Sequence, residues 1–260
     1  MTVTGDAEGL SALRNRLYES YVSQHSGWAP DAAVRLIYRR DIRPQLPSPS
    51  AGPVMDIGCG CGHLVRCLID DGYQAGGIDV SPEQVDLAHR AGLTGIRRGD
   101  YLDLLGEYRG QLGAVTATDL LEHLTKAEVL ATFDAVVKAL RPGGVFVARV
   151  PNAVSPFGGY IRYGDFTHES WFTAQSVRQL AAAAGLGAVT VIGCPPPVHG
   201  LASAARVAVW KPVSGLFKLA LAAETGALRG HIVTQNLTFA ARVPERRRET
   251  APEPPRAGSQ

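Results

Sequence analysis

A short apolar run at residues 54–57 contains one acid, Asp56, and leads directly into a glycine-rich turn. Glycine tolerates backbone angles that a Cβ forbids, so this pattern predicts a strand that ends in a tight turn. A ligand can lie against the bare peptide backbone of such a turn. The spacing differs from the G-x-G-x-x-G of dinucleotide-binding turns, because the sixth position holds histidine or valine. The three glycines stand at alternate positions: Gly58, Gly60 and Gly62.

A second candidate ligand-binding residue, Asp79, closes the next apolar run, 21 residues after Gly58. A carboxylate about 20 residues past a glycine turn can accept hydrogen bonds from both ribose hydroxyls of a nucleotide. The alternative is a capping aspartate in a simple turn before Ser81. We predict ribose binding, because the spacing from the glycines matches.

Positioning these residues requires a scaffold, and the chain alternates apolar runs with amphipathic segments from residue 53 onward. This alternation is typical of an α/β fold, a parallel sheet wrapped by helices. Ser81-Pro82-Glu83 predicts a helix start, and either Thr173 or Ser176 can cap a later helix. The predicted strands are 53–57, 75–79, 95–98, 113–118, 145–150, 188–193 and 232–242. The predicted helices are 62–71, 82–91, 125–140, 174–185 and 205–224.

The acid-x-G-x-G-x-G segment resembles the first motif of class I S-adenosylmethionine (SAM) dependent methyltransferases. Two later segments, Thr118–Leu124 and Arg141–Asn152, resemble the same family in order and spacing. The resemblance implies a Rossmann-like sheet of seven mostly parallel strands. Its last strand runs antiparallel between the fifth and sixth, helices cover both faces, and SAM is the cofactor.

The resemblance also implies roles for single residues. Asp100 would accept the adenine amino group, Tyr101 would pack against the base, and Asp119 would face the sulfonium. His123 has an alternative role as a residue that bonds back to its own turn. The cofactor-binding set is therefore Asp56, Gly58, Gly60, Gly62, Asp79, Asp100, Tyr101 and Asp119.

Polar and aromatic residues cluster just past the fifth predicted strand, at 161–169. An open α/β sheet binds ligands outside the carboxyl ends of its strands, where this loop must lie. We nominate His168 as a general base for an acceptor hydroxyl, with Asp165 or Glu169 orienting its ring. The alternative is a hydrogen-bonded turn that only fixes the loop. These three residues carry metal-ligand atoms, but we predict no metal site.

The sequence leaves several classes of methyl acceptor open. The stretch from Asn152 to Thr173 resembles O-methyltransferases of bacterial polysaccharide and glycoconjugate biosynthesis, which implies a sugar hydroxyl on a glycan, a lipid-linked sugar or a glycosylated metabolite. Methylation of a phenolic or quinone-like small molecule is the alternative, with tyrosines of the N-terminal helices capping the acceptor. A SAM-binding protein without turnover is a third interpretation. A nicotinamide enzyme is disfavoured by the glycine spacing.

Bulk properties narrow the class of protein. The 260 residues carry a formal net charge of +2, which gives no argument for a nucleic-acid partner. No apolar run approaches the ~20 residues that span a bilayer, and no signal peptide is evident, so we expect a cytoplasmic location. The cysteines lack metal-ligand spacing and are interpreted as reduced packing residues. They are Cys59, Cys61, Cys67 and Cys194.

The chain divides into three predicted parts. Residues 1–50 form an N-terminal helical cap and linker, 51–243 the core with an insertion at 195–231, and 244–260 a disordered tail, because that tail is proline-rich and charged. Residues 206–224 are apolar with interspersed cations, and Pro212 and Gly215 are expected to interrupt any helix there. Two interpretations of this stretch stay open: a lid or homodimer contact, or peripheral contact with a membrane surface.

Overall fold

The computed structural model describes residues 31–245, which form one seven-stranded sheet covered by helices. The strands are β1 (Val54–Ile57), β2 (Ala75–Asp79), β3 (Ile96–Arg98), β4 (Leu112–Thr118), β5 (Leu140–Pro151), β6 (Gly187–Cys194) and β7 (Asn236–Arg242). The helices are α1 (Asp31–Ile37), α2 (His63–Asp70), α3 (Pro82–Arg90), α4 (Tyr101–Leu105), α5 (Lys126–Ala139), α6 (Gly158–Arg162), α7 (Ala174–Ala183) and α8 (Leu201–Thr225).

The strands lie in the order β3-β2-β1-β4-β5-β7-β6. Strands β1 to β5 pair in parallel, whereas β7 runs antiparallel to both β5 and β6. This confirms the predicted α/β architecture, including the antiparallel last strand between the fifth and sixth. Residues 1–30 of the predicted N-terminal helical cap and the tail from residue 246 onward lie outside the described residues.

Alternate side chains of β1 enter different cores, because successive residues of a strand point to opposite faces. Val54 packs with residues of α2 and of the π-helical turn Tyr38–Ile42 that continues α1. Met55 packs in a larger cluster with residues of α4, α5 and α7. Helices therefore cover both faces of the sheet, as predicted.

The segment 141–144 ends a helix and enters a strand, as its sequence predicts, but through an irregularity inside β5. Leu112 pairs with Leu140 and Ala114 with Val145, so four residues of β5 bulge out between the two pairings. Gly143 has a φ of 75°, a left-handed angle that suits glycine.

Side-chain caps fix the starts of several helices. Ser81 Oγ accepts the Gln84 N–H at the start of α3, as its sequence predicts. Thr125 forms a capping box at α5. Thr173 caps α7 and Ser176 reciprocates, so both of the candidates suggested by the sequence take part.

Helix α8 lies within the segment 195–231, between β6 and β7. The expectation that Pro212 and Gly215 interrupt it is wrong, because α8 runs unbroken from Leu201 to Thr225. Proline removes one backbone N–H, which here would have bonded to the carbonyl of Ala208. Ala208 is exposed, so water can serve that carbonyl.

Candidate functional site

A cavity of about 900 Å³ opens at the carboxyl ends of β1, β2, β4 and β5. Parallel α/β sheets bind ligands at this edge. Most of the predicted site residues line this cavity, whereas Gly62, Asp165 and Glu169 lie outside its wall. The predicted residues that line it are Asp56, Gly58, Gly60, Asp79, Asp100, Tyr101, Asp119 and His168.

The turn after β1 is left-handed at each of its three glycines, with φ of 65° at Gly58, 54° at Gly60 and 81° at Gly62. A Cβ at Gly58 would lie 2.9 Å from a Leu120 methyl, and one at Gly62 would lie 2.4 Å from an Ile96 methyl. Those two glycines therefore serve internal packing as well as backbone geometry. At Gly60 the nearest atom would be Gln84 Oε1 at 3.6 Å, an ordinary contact, so no close neighbour requires glycine there, and its backbone lines the cavity.

Both carboxylate oxygens of Asp79 hold the turn in place. Oδ2 accepts the Gly60 N–H at 2.8 Å, and Oδ1 accepts the Ser81 N–H at 2.9 Å. A carboxylate has about four acceptor sites, so Asp79 keeps capacity for a ligand donor. Burial raises the pKa of Asp79 above its ordinary value, and the backbone hydrogen bonds oppose this. Ribose binding at Asp79 stays a prediction, which this placement permits.

Asp56 is the most enclosed carboxyl of the glycine turn. Thr116 Oγ1 donates to its Oδ1 at 2.7 Å. Burial and the neighbouring charge of Asp79 raise the pKa of Asp56 to about 7, against the opposing hydrogen bond. A carboxyl in this state holds a proton near neutral pH.

The residues after β3 have mixed placements. Asp100 is exposed and caps α4 by accepting the Leu102 N–H at 2.8 Å. Tyr101 is buried, and its hydroxyl lies 2.8 Å from Thr132 Oγ1 on α5. Both line the cavity, so the predicted contacts with an adenine ring stay predictions that the geometry permits.

Asp119, just past β4, forms an ion pair with Arg149 of β5. Its backbone φ is 53°, a left-handed angle that aspartate tolerates better than most residues. The predicted sulfonium-facing carboxylate is thus already paired with a guanidinium. Arg149 lines the same cavity, and no sequence pattern identified it as a partner.

A chain of hydrogen bonds runs from His123 through Thr167 to Asp165. Thr167 Oγ1 donates to Asp165 Oδ1 at 2.6 Å, and His123 Nδ1 lies 2.7 Å from the same hydroxyl. Because the hydroxyl has one hydrogen, Nδ1 of His123 must be the donor, which leaves Nε2 with its lone pair. Burial raises the pKa of Asp165, but the Thr167 hydrogen bonds and the nearby histidines outweigh this and hold it below its ordinary value.

His168 lines the cavity beside His123, and the two rings meet edge to face with centroids 4.8 Å apart. Its Nδ1 donates to the carbonyl of Ile161 at 3.0 Å. The hydrogen bond at Nδ1 is thus made to a backbone carbonyl, and the orientation of this ring by Asp165 or Glu169 stays a prediction. Glu169 is exposed, and its N–H donates to the Glu122 carbonyl.

Glu122 is buried in the cavity wall, and burial together with Asp119 raises its pKa well above the ordinary value. One ligand atom each from Glu122, His123 and His168 lie within 4.8 Å of one another. Two imidazoles and a carboxylate suit a divalent transition metal. This set shares only His168 with the ligand atoms noted in the sequence, and the expectation of no metal stays a prediction.

The cavity fits SAM in its chemistry. Gly60 offers bare backbone, and Asp79 offers paired acceptors. Several buried polar atoms of the wall have no hydrogen-bond partner within the described residues, and a polar ligand can satisfy them. These atoms are Thr118 Oγ1, Glu122 Oε2 and Arg149 Nε.

Comparison with known sequences agrees with this geometry. A sequence model described as a methyltransferase domain matches residues 31–191. A ubiquinone biosynthesis O-methyltransferase of Xylella fastidiosa strain M23 is 30% identical over 151 residues, which cover 54% of this chain and 61% of the relative. The corresponding protein of Xanthomonas campestris pv. campestris strain B100 is 33% identical over 144 residues, or 54% and 57%. The chain thus spans about three fifths of the length of these relatives.

Solved structures share the fold at low sequence identity. A SAM-dependent methyltransferase of Archaeoglobus fulgidus matches with a TM-score of 0.65 at 16% identity, covering 85% of this chain and 98% of that one. The phosphoethanolamine N-methyltransferase 2 of Haemonchus contortus, solved with SAM, matches with a TM-score of 0.55 at 15% identity, covering 88% and 60%.

Proposed function

This chain belongs to the methyltransferase domain family and is a SAM-dependent methyltransferase, and we propose that it methylates a hydroxyl oxygen of a small phenolic or quinone-like acceptor. The names of its relatives support this alternative over the sugar hydroxyl that the loop sequence suggests, because they place O-methylation in the biosynthesis of a quinone. The names of the relatives reported above mention no glycan.

The walls of the cavity support an aromatic acceptor. Val34 and Ile37 of α1, together with Leu124 and Ile161, line the cavity that also holds the two histidines. A largely apolar wall with a few convergent polar groups is typical of small-molecule sites. A planar ring can lie against these side chains with its hydroxyl toward the imidazoles.

The observation that carries the proposal is the His123–Thr167–Asp165 chain. A phenol must lose its proton as its oxygen attacks, and a positioned histidine can accept that proton. The chain leaves Nε2 of His123 basic, and the Asp165 carboxylate offsets the charge that the imidazole gains. His168, the base nominated from the sequence, bonds through Nδ1 to the Ile161 carbonyl and lacks the hydroxyl link to Asp165 that His123 has, so we assign it to holding the acceptor hydroxyl.

When bound, SAM supplies an electrophilic methyl group on a sulfonium. The chain's own part is to hold donor and acceptor in line in a site that excludes water. The oxygen forms a bond to the methyl carbon as the carbon–sulfur bond breaks, the electron pair stays on sulfur, and the proton goes to His123. The products are a methyl ether and S-adenosylhomocysteine.

Turnover of SAM with a panel of catechols, hydroquinones and soluble sugars tests the acceptor class. We expect methyl ethers from the phenols and none from the sugars. His123→Asn should lower kcat by about 100-fold and His168→Asn by about tenfold, within the range of general-base effects. A larger loss of kcat in His168→Asn than in His123→Asn would show that His168 is the base. Methylation of sugars alone would overturn the proposal.

A further inference from the structure

Helix α8 exposes an unusual amount of apolar surface. Of its 25 residues only Ser203 is buried. Leu201 is 92% exposed, Leu216 67% and Leu219 66%. At about 100° per residue these leucines fall on one arc of the helix. Contiguous exposed apolar surface of this kind marks a contact site for a partner or a membrane. The outer face of α8 consists of Leu201, Ala205, Val209, Pro212, Leu216 and Leu219.

The opposite face of α8 packs on the protein. Trp210 and Phe217 are partly buried, and their rings lie 6.2 and 6.1 Å from the ring of Phe157. The aromatic side of the helix therefore contacts Phe157, and its outer face is the more exposed one. The outer face is exposed because the opposite, aromatic face is the one that contacts Phe157.

Cations flank the outer face, and no acid interrupts it. Arg206, Lys211 and Lys218 are exposed, and no aspartate or glutamate occurs between residues 201 and 223. On the helical wheel Arg206 lies on one side of the outer face, and the two lysines lie on the other. Long basic side chains can extend their charged ends toward anionic headgroups while their stems cover apolar surface.

The loop beside α8 adds exposed aromatic rings. Tyr160 is 82% exposed, Tyr163 83% and Phe166 86%. They follow Phe157, which touches α8 directly. Aromatic side chains with one polar end favour the boundary between membrane and water. The loop and the helix thus present the same chemistry on neighbouring surface.

We propose that the outer face of α8 and the aromatic loop 157–166 form a docking surface for an anionic lipid bilayer. A second copy of this chain fits less well, because it presents the same cations and no acid in this stretch to pair with them. Among the described residues no helix combines the length and apolarity needed to cross a bilayer, so α8 lies in the interface plane. Ile161, on α6, lines the cavity, so docking brings the acceptor side of the site to the lipid surface.

Vesicle flotation of the full chain tests this surface, with phosphatidylcholine vesicles compared with vesicles that also contain phosphatidylglycerol. We expect binding to the anionic vesicles, and Leu216→Glu with Leu219→Glu should lower the bound fraction by at least about tenfold. The matched control, Ile69→Glu with Leu130→Glu, adds the same charge at exposed apolar positions of α2 and α5 and should bind like wild type. Lys211→Gln with Lys218→Gln should remove the preference for anionic vesicles.

Two results would overturn the proposal: wild type that floats with neither vesicle, or Leu216→Glu with Leu219→Glu that floats like wild type. Sedimentation velocity tests whether a second copy of the chain occupies this face instead. If wild type is a dimer that binds no vesicles, and Leu216→Glu with Leu219→Glu makes it monomeric, the face is a dimer contact. Vesicle binding needs no turnover, so its failure and that of the proposed function are separately visible.

Discussion

Nδ1 of His123 lies 2.7 Å from Oγ1 of Thr167, although the two residues are 44 positions apart in the chain. This bond joins the turn after β4 to the loop after β5. It also fixes which nitrogen of His123 carries the hydrogen, because Thr167 donates its own hydrogen to Asp165. The role of His123 therefore depends on a residue that is itself outside the cavity wall.

Thr167→Val tests that dependence. Removing the hydroxyl separates His123 from Asp165, so the imidazolium loses support and the base becomes weaker. We expect kcat to fall by about tenfold or more and the ascending limb of its pH profile to move to lower pH. Thr167→Ser retains the hydroxyl and should restore both values, whereas equal profiles for the two variants would contradict the relay.

Gly60→Ala tests the bare backbone of the turn. Both Gly60 and Gly72 have left-handed angles, with φ of 54° and 83°, and neither has a neighbour that a Cβ would strike. Alanine at either position should cost about 1 kcal/mol of stability. Only Gly60 lines the cavity, so only Gly60→Ala should weaken SAM binding, as measured by calorimetry. Equal SAM affinity in the two variants would show that SAM does not bind against this turn.

Asp79→Asn tests the predicted ribose contact. The amide replaces one acceptor oxygen with a donor, which opposes a backbone N–H or a ligand hydroxyl. We expect the Kd for SAM to rise by about tenfold or more, since hydrogen bonds to a charged acceptor are the strong ones. Asp86→Asn, at an exposed position of α3, is the control and should keep wild-type affinity. Unchanged binding in Asp79→Asn would exclude the contact.

Asp56 makes stability depend on pH. Its pKa is about 7 in the folded chain, against about 3.9 in an unfolded one. Between these values the folded carboxyl keeps a proton that the unfolded one has lost, so the free energy of unfolding falls as pH rises from about 4 to about 7. Asp56→Asn lacks this loss and should gain about 2–4 kcal/mol on wild type between pH 4 and pH 8. A difference in free energy of unfolding between the variant and wild type, measured by urea unfolding, that stays constant from pH 4 to pH 8 would contradict the raised pKa.

Asp119→Asn tests the ion pair with Arg149. The pair is mostly enclosed, with side chains 24% and 14% exposed, so the variant leaves a guanidinium without its carboxylate. We expect a loss of about 2 kcal/mol in urea unfolding. The Arg35–Asp70 pair is 45% exposed at both side chains, and Asp70→Asn should cost less than about 1 kcal/mol. Similar losses of stability in the two variants would show that the enclosed pair stabilises the fold no more than the exposed one.

The sheet could be predicted because each strand carries its own local pattern. The apolar runs that end at Asp56–Gly58 and Asp79 predict β1 and β2, and the family resemblance implies the place of β7. The local proline rule predicts a break at Pro212, whereas α8 continues through it; the carbonyl of Ala208 that loses its partner is exposed to water.

The histidine site could be predicted only in part. His168 was found from its place after β5, but its partner Ile161 offers a backbone carbonyl, which no residue type reveals. The link from His123 to Thr167 spans two loops, so sequence spacing gives no indication of it. The sequence signal for this part of the site is Glu122-His123 in the turn after β4, because polar residues at that end of the strand lie at the ligand-binding edge of the sheet.

The carbonyl of Glu122 accepts two N–H groups, from Glu169 at 2.7 Å and from Ser170 at 2.9 Å, and Ser170 Oγ donates to the Leu124 carbonyl at 2.6 Å. The stretch after His168 is thereby fastened to the turn that carries His123. We expect the two imidazoles to keep their separation while an acceptor passes in and its ether passes out.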